Sequence, residues 1–433
     1  MKKNFTRFTL SAAFLFLLQF TSVFAQYTEG VFVLNEGGAG GGNATVSFIN
    51  NNANTNDIYG IVNPSLSGLG DTAQSMSFNG DYAYVVLNIS NTVKVVNRTT
   101  FAYVATISTG LNNPRYMAFA NGKGFVTNWG DGGSASDDYV AVIDLTTNTV
   151  ESTIPLAEGV ERILYTNNKL YIAHQGGYGA GNTISVVNPV TQTLEQTITV
   201  GDVPNSMLVN NNFLYVLCGG KPYWSSEETD GQLVKIDLTT NTVLSTLNFP
   251  DMHPNNLEIN ASATSIFYTV DENVYTNAID ASTLPTTSLF SLTAQGVYGI
   301  YGMDLIEDKL YIADAGNYSS PGSVYVVSTS GSLLNTYMVG VIPNSFYKAE
   351  NTLSTFQPES KLAVHLYPNP ASNVFYLNTD VACNLKMYDT AGRVVKQMAY
   401  ATAGVNVSDL KAGIYFVEIT TESARTVQRL IVK

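Results

Sequence analysis

Between about residues 27 and 350 the chain reads as short runs that alternate apolar and polar positions, broken by Gly, Asn, Thr and Pro. A period of two predicts half-buried or buried strands rather than helices. One phrase recurs through this region, an aromatic inside an apolar run, as in Val31-Phe32-Val33, Ala83-Tyr84-Val85, Leu170-Tyr171-Ile172 and Leu310-Tyr311-Ile312. Its aromatics stand at Phe32, Tyr84, Phe125, Tyr171, Tyr215, Tyr268 and Tyr311. A second alternating run follows each, such as Val140-Ala141-Val142-Ile143-Asp144, then a polar turn, twice the identical Leu-Thr-Thr-Asn-Thr at 145–149 and 238–242. A third run and a segment with Pro and a large apolar residue (Pro114-Arg115-Tyr116-Met117, Pro204-Asn205-Ser206-Met207) complete the unit.

Four short strands repeated at intervals of roughly forty to fifty residues predict the blades of a β-propeller. A long β-sandwich would not repeat one phrase in this way. The predicted fold is all-β, a seven-bladed β-propeller over 26–350, then a linker at 351–361 and a small C-terminal β-sandwich at 362–433.

Composition narrows the setting. Hydrophobic residues make up 45% of the chain and charged residues 13%, too apolar for a disordered chain. The formal charge of −13 offers no basic face for nucleic acid. Lys2, Lys3 and Arg7 precede an apolar run and the small-residue exit Val23-Phe24-Ala25, predicting a signal peptide over 1–25. That run is short for a membrane span, and no later segment is apolar enough for one. Cys218 and Cys383, the two cysteines, fall in different predicted domains and read as buried thiols rather than a disulfide or metal framework.

The repeated phrases resemble the YVTN/YncE-like propellers over about residues 27–350. In that family the Pro segment is the innermost strand of a blade. Here the N-terminal unit starts at its second strand, Val31 to Leu34, and the terminal Pro343-Asn344-Ser345-Phe346-Tyr347 has no strand after it. The two ends therefore complete each other, and the last strand is expected to enter the first blade. Further on, Leu366-Tyr367-Pro368-Asn369-Pro370, Met387-Tyr388-Asp389-Thr390-Ala391-Gly392-Arg393, Ala412-Gly413-Ile414-Tyr415-Phe416 and the final Arg429-Leu430-Ile431-Val432-Lys433 resemble the type IX secretion sorting domain. That resemblance implies type IX secretion machinery as a partner and a secreted or outer-surface location. Stretches such as Val31 to Gly37 and Asp71 to Met76 also resemble a subgroup of surface propellers that includes corrinoid-capturing partners of vitamin B12 transporters. Loops differ widely within that subgroup, so ligand identity does not carry over; those relatives are typically lipid-anchored, whereas this chain has the sorting domain.

Candidate chemistry lies on one face. Connections into the innermost strands and between second and third strands are long and varied, and they carry Trp129, Tyr178, Tyr223, Trp224 and Tyr318 on Gly-rich backbone. Exposed aromatics on scaffolded loops suit stacking on a ligand, or they cap the blades by packing together. Aligning the Pro segments gives a ring of polar positions: Gln74, Arg115, Glu161, Asn205, Asn255, Tyr301 and Asn344. In calcium-dependent propeller lactonases Glu, Asn and Asp at such positions hold the metal, but here Arg115 opposes a cation and Glu161 is the one carboxylate. No metal or cofactor is assigned. HExxH, GxSxG and P-loop motifs are absent, and a catalytic triad would rest on His174 or His253 without a supporting motif. The leading expectation is a non-enzymatic ligand-binding propeller taking a small molecule, corrinoid or glycan. The alternatives are a lactonase-like calcium-dependent hydrolase and an adhesin or protein-binding scaffold.

Overall fold

The computed structural model describes residues 27–50, 52–349, 364–378, 383–390, 393–400, 404–420 and 425–433. The expected signal peptide at 1–25, the linker at 351–361 and Ala391-Gly392 of the sorting motif lie outside the described residues.

Seven four-stranded antiparallel sheets make up the described propeller. From inside outward, blade 2 consists of Ala73–Asn79, Tyr82–Leu87, Thr92–Asn97 and Tyr103–Ile107, and the same sequential order repeats in blades 3 to 7. Blade 1 departs from it. Its innermost strand is Pro343–Ala349, paired antiparallel with Gly30–Asn35, which in turn pairs with Thr45–Asn50 and the short Ala53–Thr55. Val33 lies opposite both Phe346 and Ser47, so the two ends of the propeller segment share one sheet, as the incomplete end units require.

The innermost strands contact one another in succession round the ring. Gly302–Ile306 meets Pro343–Ala349, and that strand meets Ala73–Asn79. The ring therefore closes on itself, with each innermost strand forming the inner edge of its own sheet.

Alternation explains why the ring forms. Each blade is apolar on both faces, so each face must be covered by a neighbour. The buried apolar residues accordingly divide into clusters that lie between blades. Tyr84, Val86 and Val95 of blade 2 pack with Met117, Val126 and Ile143 of blade 3. Val31, Val33 and Ile49 of blade 1 pack with Tyr311, Val324 and Val339 of blade 7. The seven repeat aromatics all lie on second strands and none is more than 9% exposed. Outermost strands such as Thr193–Thr199 are largely exposed, which accounts for their weak apolar pattern.

Two features escaped the repeat. A five-residue helix, Ile58–Val62, joins blades 1 and 2; it buries Ile58 and Tyr59 and is capped by the Asp57 carboxylate on the Gly60 N–H. Blade 6 ends in a two-residue strand, Phe290–Ser291, after a connection containing Pro285, which has no N–H to give a ladder.

The C-terminal segment forms a three-stranded and a four-stranded sheet, the latter in the order Val394–Ala399, Asn384–Tyr388, Gly413–Thr420, Arg425–Val432. Phe375, Leu385, Met387, Val417, Ile419 and Leu430 form its core, and Leu366-Tyr367 opens the smaller sheet. Cys218 and Cys383 are buried and unbonded, and burial pushes the Cys218 thiol up to about 12. No helix among the described residues is long and apolar enough to cross a membrane.

Phe32 is fully buried where blades 1 and 2 meet, against Phe48, Phe78 and Phe101. Phe32→Ala is expected to remove about 3–5 kcal/mol of stability, measured by urea unfolding of the secreted protein; a loss near zero would contradict this packing.

Candidate functional site

A small irregularity builds the mouth of the ring. In every blade but the seventh, the pairing of innermost and second strands slips at or beside the aligned polar position. It slips between Ala73 and Ser75 around Gln74, between Pro204 and Ser206 around Asn205, and between Pro343 and Ser345 around Asn344. Blades 3, 4 and 6 slip at Pro114/Met117, Val160/Ile163 and Asn255/Glu258. A bulge leaves its extra residue out of the ladder and re-aims the side chain. Only the polar alignment was legible in the sequence; the bulges beneath it were not.

Two groups of the aligned residues come together. Arg115 Nε donates to Glu161 Oε2 at 2.8 Å and Nη2 donates to Oε1 at 2.9 Å, a two-pronged pair between blades 3 and 4. The Arg115 guanidinium also stacks on Trp129, 3.8 Å from the ring centroid, and Trp129 meets Tyr178 at 6.2 Å and 64°. Glu161 is 3% exposed and its carboxylate is taken up by Arg115. Among the described residues no group of three or more His, Cys, Asp or Glu is placed to hold a metal ion.

The second group joins blades 7 and 1. The Tyr301 hydroxyl donates to Glu36 Oε2 at 2.9 Å, and Asn344 Nδ2 donates to Glu36 Oε1 at 3.0 Å and to the Ala73 carbonyl at 3.0 Å. Tyr301 meets Tyr318 at 5.7 Å and 78°. Burial pushes the Glu36 carboxyl above its ordinary range, while these two hydrogen bonds and the charge of Arg115 pull it back. Glu36 was not among the aligned positions, because it comes from the loop after a second strand.

The remaining candidates stand apart. Gln74 Nε2 donates to the Tyr116 hydroxyl at 3.2 Å. Asn205 is buried and donates to the Pro254 carbonyl at 2.9 Å, so its amide ties blade 5 to blade 6, whereas Asn255 is exposed. Tyr223 and Trp224 form a perpendicular pair of their own at 4.9 Å, 74% and 75% exposed. Tyr178 is 85% exposed. Trp129 Nε1, in contrast, is buried and meets no acceptor.

A deeper layer was missed, although it lies one and three positions beyond the aligned residues. Arg162 Nε donates to the Asn205 carbonyl at 3.1 Å and its guanidinium lies 4.3 Å over the Tyr116 ring. Asp304 Oδ2 accepts the Phe346 N–H at 2.8 Å, and the Tyr347 hydroxyl accepts the Met76 N–H at 2.9 Å. Glu258 accepts the Leu305 N–H at 3.4 Å. Each of these contacts crosses from one blade to the next. Burial pushes both carboxyls up, Asp304 to about 7, against the Phe346 N–H and Arg162, and the charge of Asp304 adds to the rise at Glu258.

Neither propeller histidine is arranged for a triad. His174 Nε2 lies 2.8 Å from Ser185 Oγ, but the pair is 1% and 3% exposed, and Nδ1 faces the Glu158 backbone carbonyl at 3.0 Å rather than a carboxylate. His253 bridges the Gly219 carbonyl (2.8 Å) and Glu228 (3.3 Å).

These sheets define the class: a seven-bladed β-propeller followed by a small β-sandwich. The chain belongs to the family described as a domain of unknown function (DUF5074), whose model matches residues 29–375. Residues 365–433 match the secretion system C-terminal sorting domain, a type IX sorting domain typical of secreted and cell-surface proteins. No curated protein matches the chain. Among solved structures, it is similar to a quinonprotein alcohol dehydrogenase-like protein from Bacteroides thetaiotaomicron, at 14% identity and TM-score 0.56, covering 75% of this chain and 79% of that one. It is also similar to a functionally unknown protein from Desulfotomaculum acetoxidans, at 14% identity and TM-score 0.54, covering 75% and 99%. At such identity the likeness is one of fold.

Two outcomes test the site. Breaking the Arg115–Glu161 pair from one side strands a buried charge, so Glu161→Met is expected to destabilise by about 3–5 kcal/mol and the double variant Arg115→Met/Glu161→Met to recover most of it, by urea unfolding. Asp304 binds its proton more tightly folded than unfolded, so folding takes up protons between the ordinary carboxyl range and about pH 7. Stability from this group is therefore lost as pH rises through that window. Asp304→Asn keeps an acceptor for Phe346 N–H, and its stability relative to wild type is expected to increase from pH 5 to pH 8 in parallel unfolding curves.

Proposed function

We propose that the protein is a secreted or cell-surface, non-enzymatic ligand-binding propeller whose ligand sits on the mouth face, over the bulge residues and between the aromatic loops. The observation that carries this reading is Trp129. Its ring is held by the buried Arg115–Glu161 pair, and its Nε1 is buried without an acceptor beside the exposed Tyr178. An unsatisfied buried donor costs about 1–3 kcal/mol, and a ligand acceptor that reaches it as the exposed Tyr178 ring moves aside removes that cost. Pure blade-capping aromatics would bury one another; Tyr178, Tyr223 and Trp224 instead remain open.

Glu36 and Glu161 are held by protein donors, which supports a polar floor for a ligand rather than reacting groups. The sorting domain supports a place for this binding outside the cell.

The test is a thermal-shift screen of the secreted protein against corrinoids, glycans and Ca²⁺ with and without chelator. A ligand at 100-fold its Kd raises stability by about 2.7 kcal/mol. The reading expects a chelator-resistant shift that Trp129→Ala abolishes. A shift with Ca²⁺ alone, or a ligand shift that Trp129→Ala leaves intact, would overturn it.

A further inference from the structure

The charges of the propeller are divided unevenly between its two faces. The mouth-face loops carry Glu36, Asp131, Glu158, Glu227, Glu228 and Asp230 among other carboxylates, while Lys221 is the only lysine or arginine among their described residues. Lys221 itself lies 3.8 Å from Asp202. Lys123, Lys169 and Lys309 open second strands, and Lys348 lies near the end of an innermost strand, all at the opposite rim.

Each open aromatic pair on the mouth face has carboxylates beside it. The Tyr178 ring packs against Gly132, next to exposed Asp131, and Glu158 lies against the adjoining Gly179. Tyr223 and Trp224 share a loop with exposed Glu227, Glu228 and Asp230, and this loop borders a cleft of about 350 Å³ lined by Asp202, Asp230, Asn182 and Asn248. Tyr301 is held on Glu36, and its partner Tyr318 follows Asp314. An aromatic face next to carboxylates attracts ammonium and guanidinium groups through the ring quadrupole as well as through charge. An anionic ligand is repelled by the same carboxylates, and a neutral one gains stacking without the charge.

Resting on the binding-face reading above, we propose that the occupant of the mouth face is a lysine- or arginine-rich peptide segment. Three aromatic–carboxylate corners stand on loops of blades 3 and 4, of blade 5 and of blade 7, so a ligand that serves them all carries several cations along an extended chain. A peptide also brings backbone carbonyls, which the unpartnered Trp129 Nε1 can use. A small polyamine brings cations without carbonyls.

The experiment is fluorescence anisotropy of labelled nonalysine with the full secreted protein at low salt. Tyr223→Ala/Trp224→Ala is expected to weaken binding about tenfold, the scale of one or two desolvated cation–π contacts. Glu227→Gln/Glu228→Gln should weaken it several-fold with the melting temperature unchanged. Asp280→Asn/Asp308→Asn removes the same charge from exposed positions on the opposite face and should leave binding unaltered. Equal weakening by both charge pairs would mean attraction by net charge alone and overturn the proposal, as would spermidine binding as tightly as the peptide. No binding of nonalysine, with a corrinoid or glycan binding in a Trp129-dependent way, would overturn the cationic assignment and leave the binding face standing; loss of Trp129 dependence for every ligand would remove both.

Discussion

Every blade of this protein is apolar on both faces, and that one constraint organises the rest. A sheet of this kind cannot stand alone, because each face it leaves uncovered keeps apolar side chains in water. Stacking blades covers all faces only if the stack returns on itself. The seam at which it returns is the pairing of Gly30–Asn35 with Pro343–Ala349, between residues more than three hundred positions apart. Phe346, Val31 and Val33 on this seam pack into the core shared with blade 7, while Phe32 and Leu34 pack toward blade 2. The closing strand thus joins two inter-blade cores at once.

Closure and the mouth are made by the same residues. Asn344 lies in the closing strand, and its side-chain amide reaches Glu36 of blade 1 and the Ala73 carbonyl of blade 2. Glu36 in turn holds Tyr301 of blade 7. One carboxylate and one amide therefore fix three blades around the mouth. On the other side, the Arg115–Glu161 pair ties blade 3 to blade 4 and orients Trp129. The polar ring works as a set of clamps between blades, with Trp129 resting on one and Tyr301 on another, while Tyr223 and Trp224 stand apart.

Much of the architecture was legible because it repeats. The aromatic of each second strand and the incomplete first and last units specified blades, their number and the seam. The C-terminal motifs specified the sorting domain. What the sequence did not disclose depends on register. A bulge adds one residue to its strand and breaks the alternation there, and no local residue pattern marks where it falls, so the aligned ring residues could be seen while their different fates could not. Asn205 turned into the blade 5–6 interface and Asn255 into solvent, although both are Asn in matching segments. Glu36, Arg162, Glu258 and Asp304 act through contacts between distant blades, which no local pattern marks. The helix at Ile58–Val62 is too short to give a helical period.

A ring closed by Pro343–Ala349 requires the seam to be as firm as any other innermost strand. Hydrogen exchange on the secreted protein measures this directly, residue by residue. The amides of 30–35 and 343–349 should exchange as slowly as those of 114–120, and the loop carrying Tyr223 and Trp224 should exchange fast. Exchange of 343–349 at the rate of a surface loop would contradict a ring closed by that strand, and with it the clamp of Asn344 on Glu36.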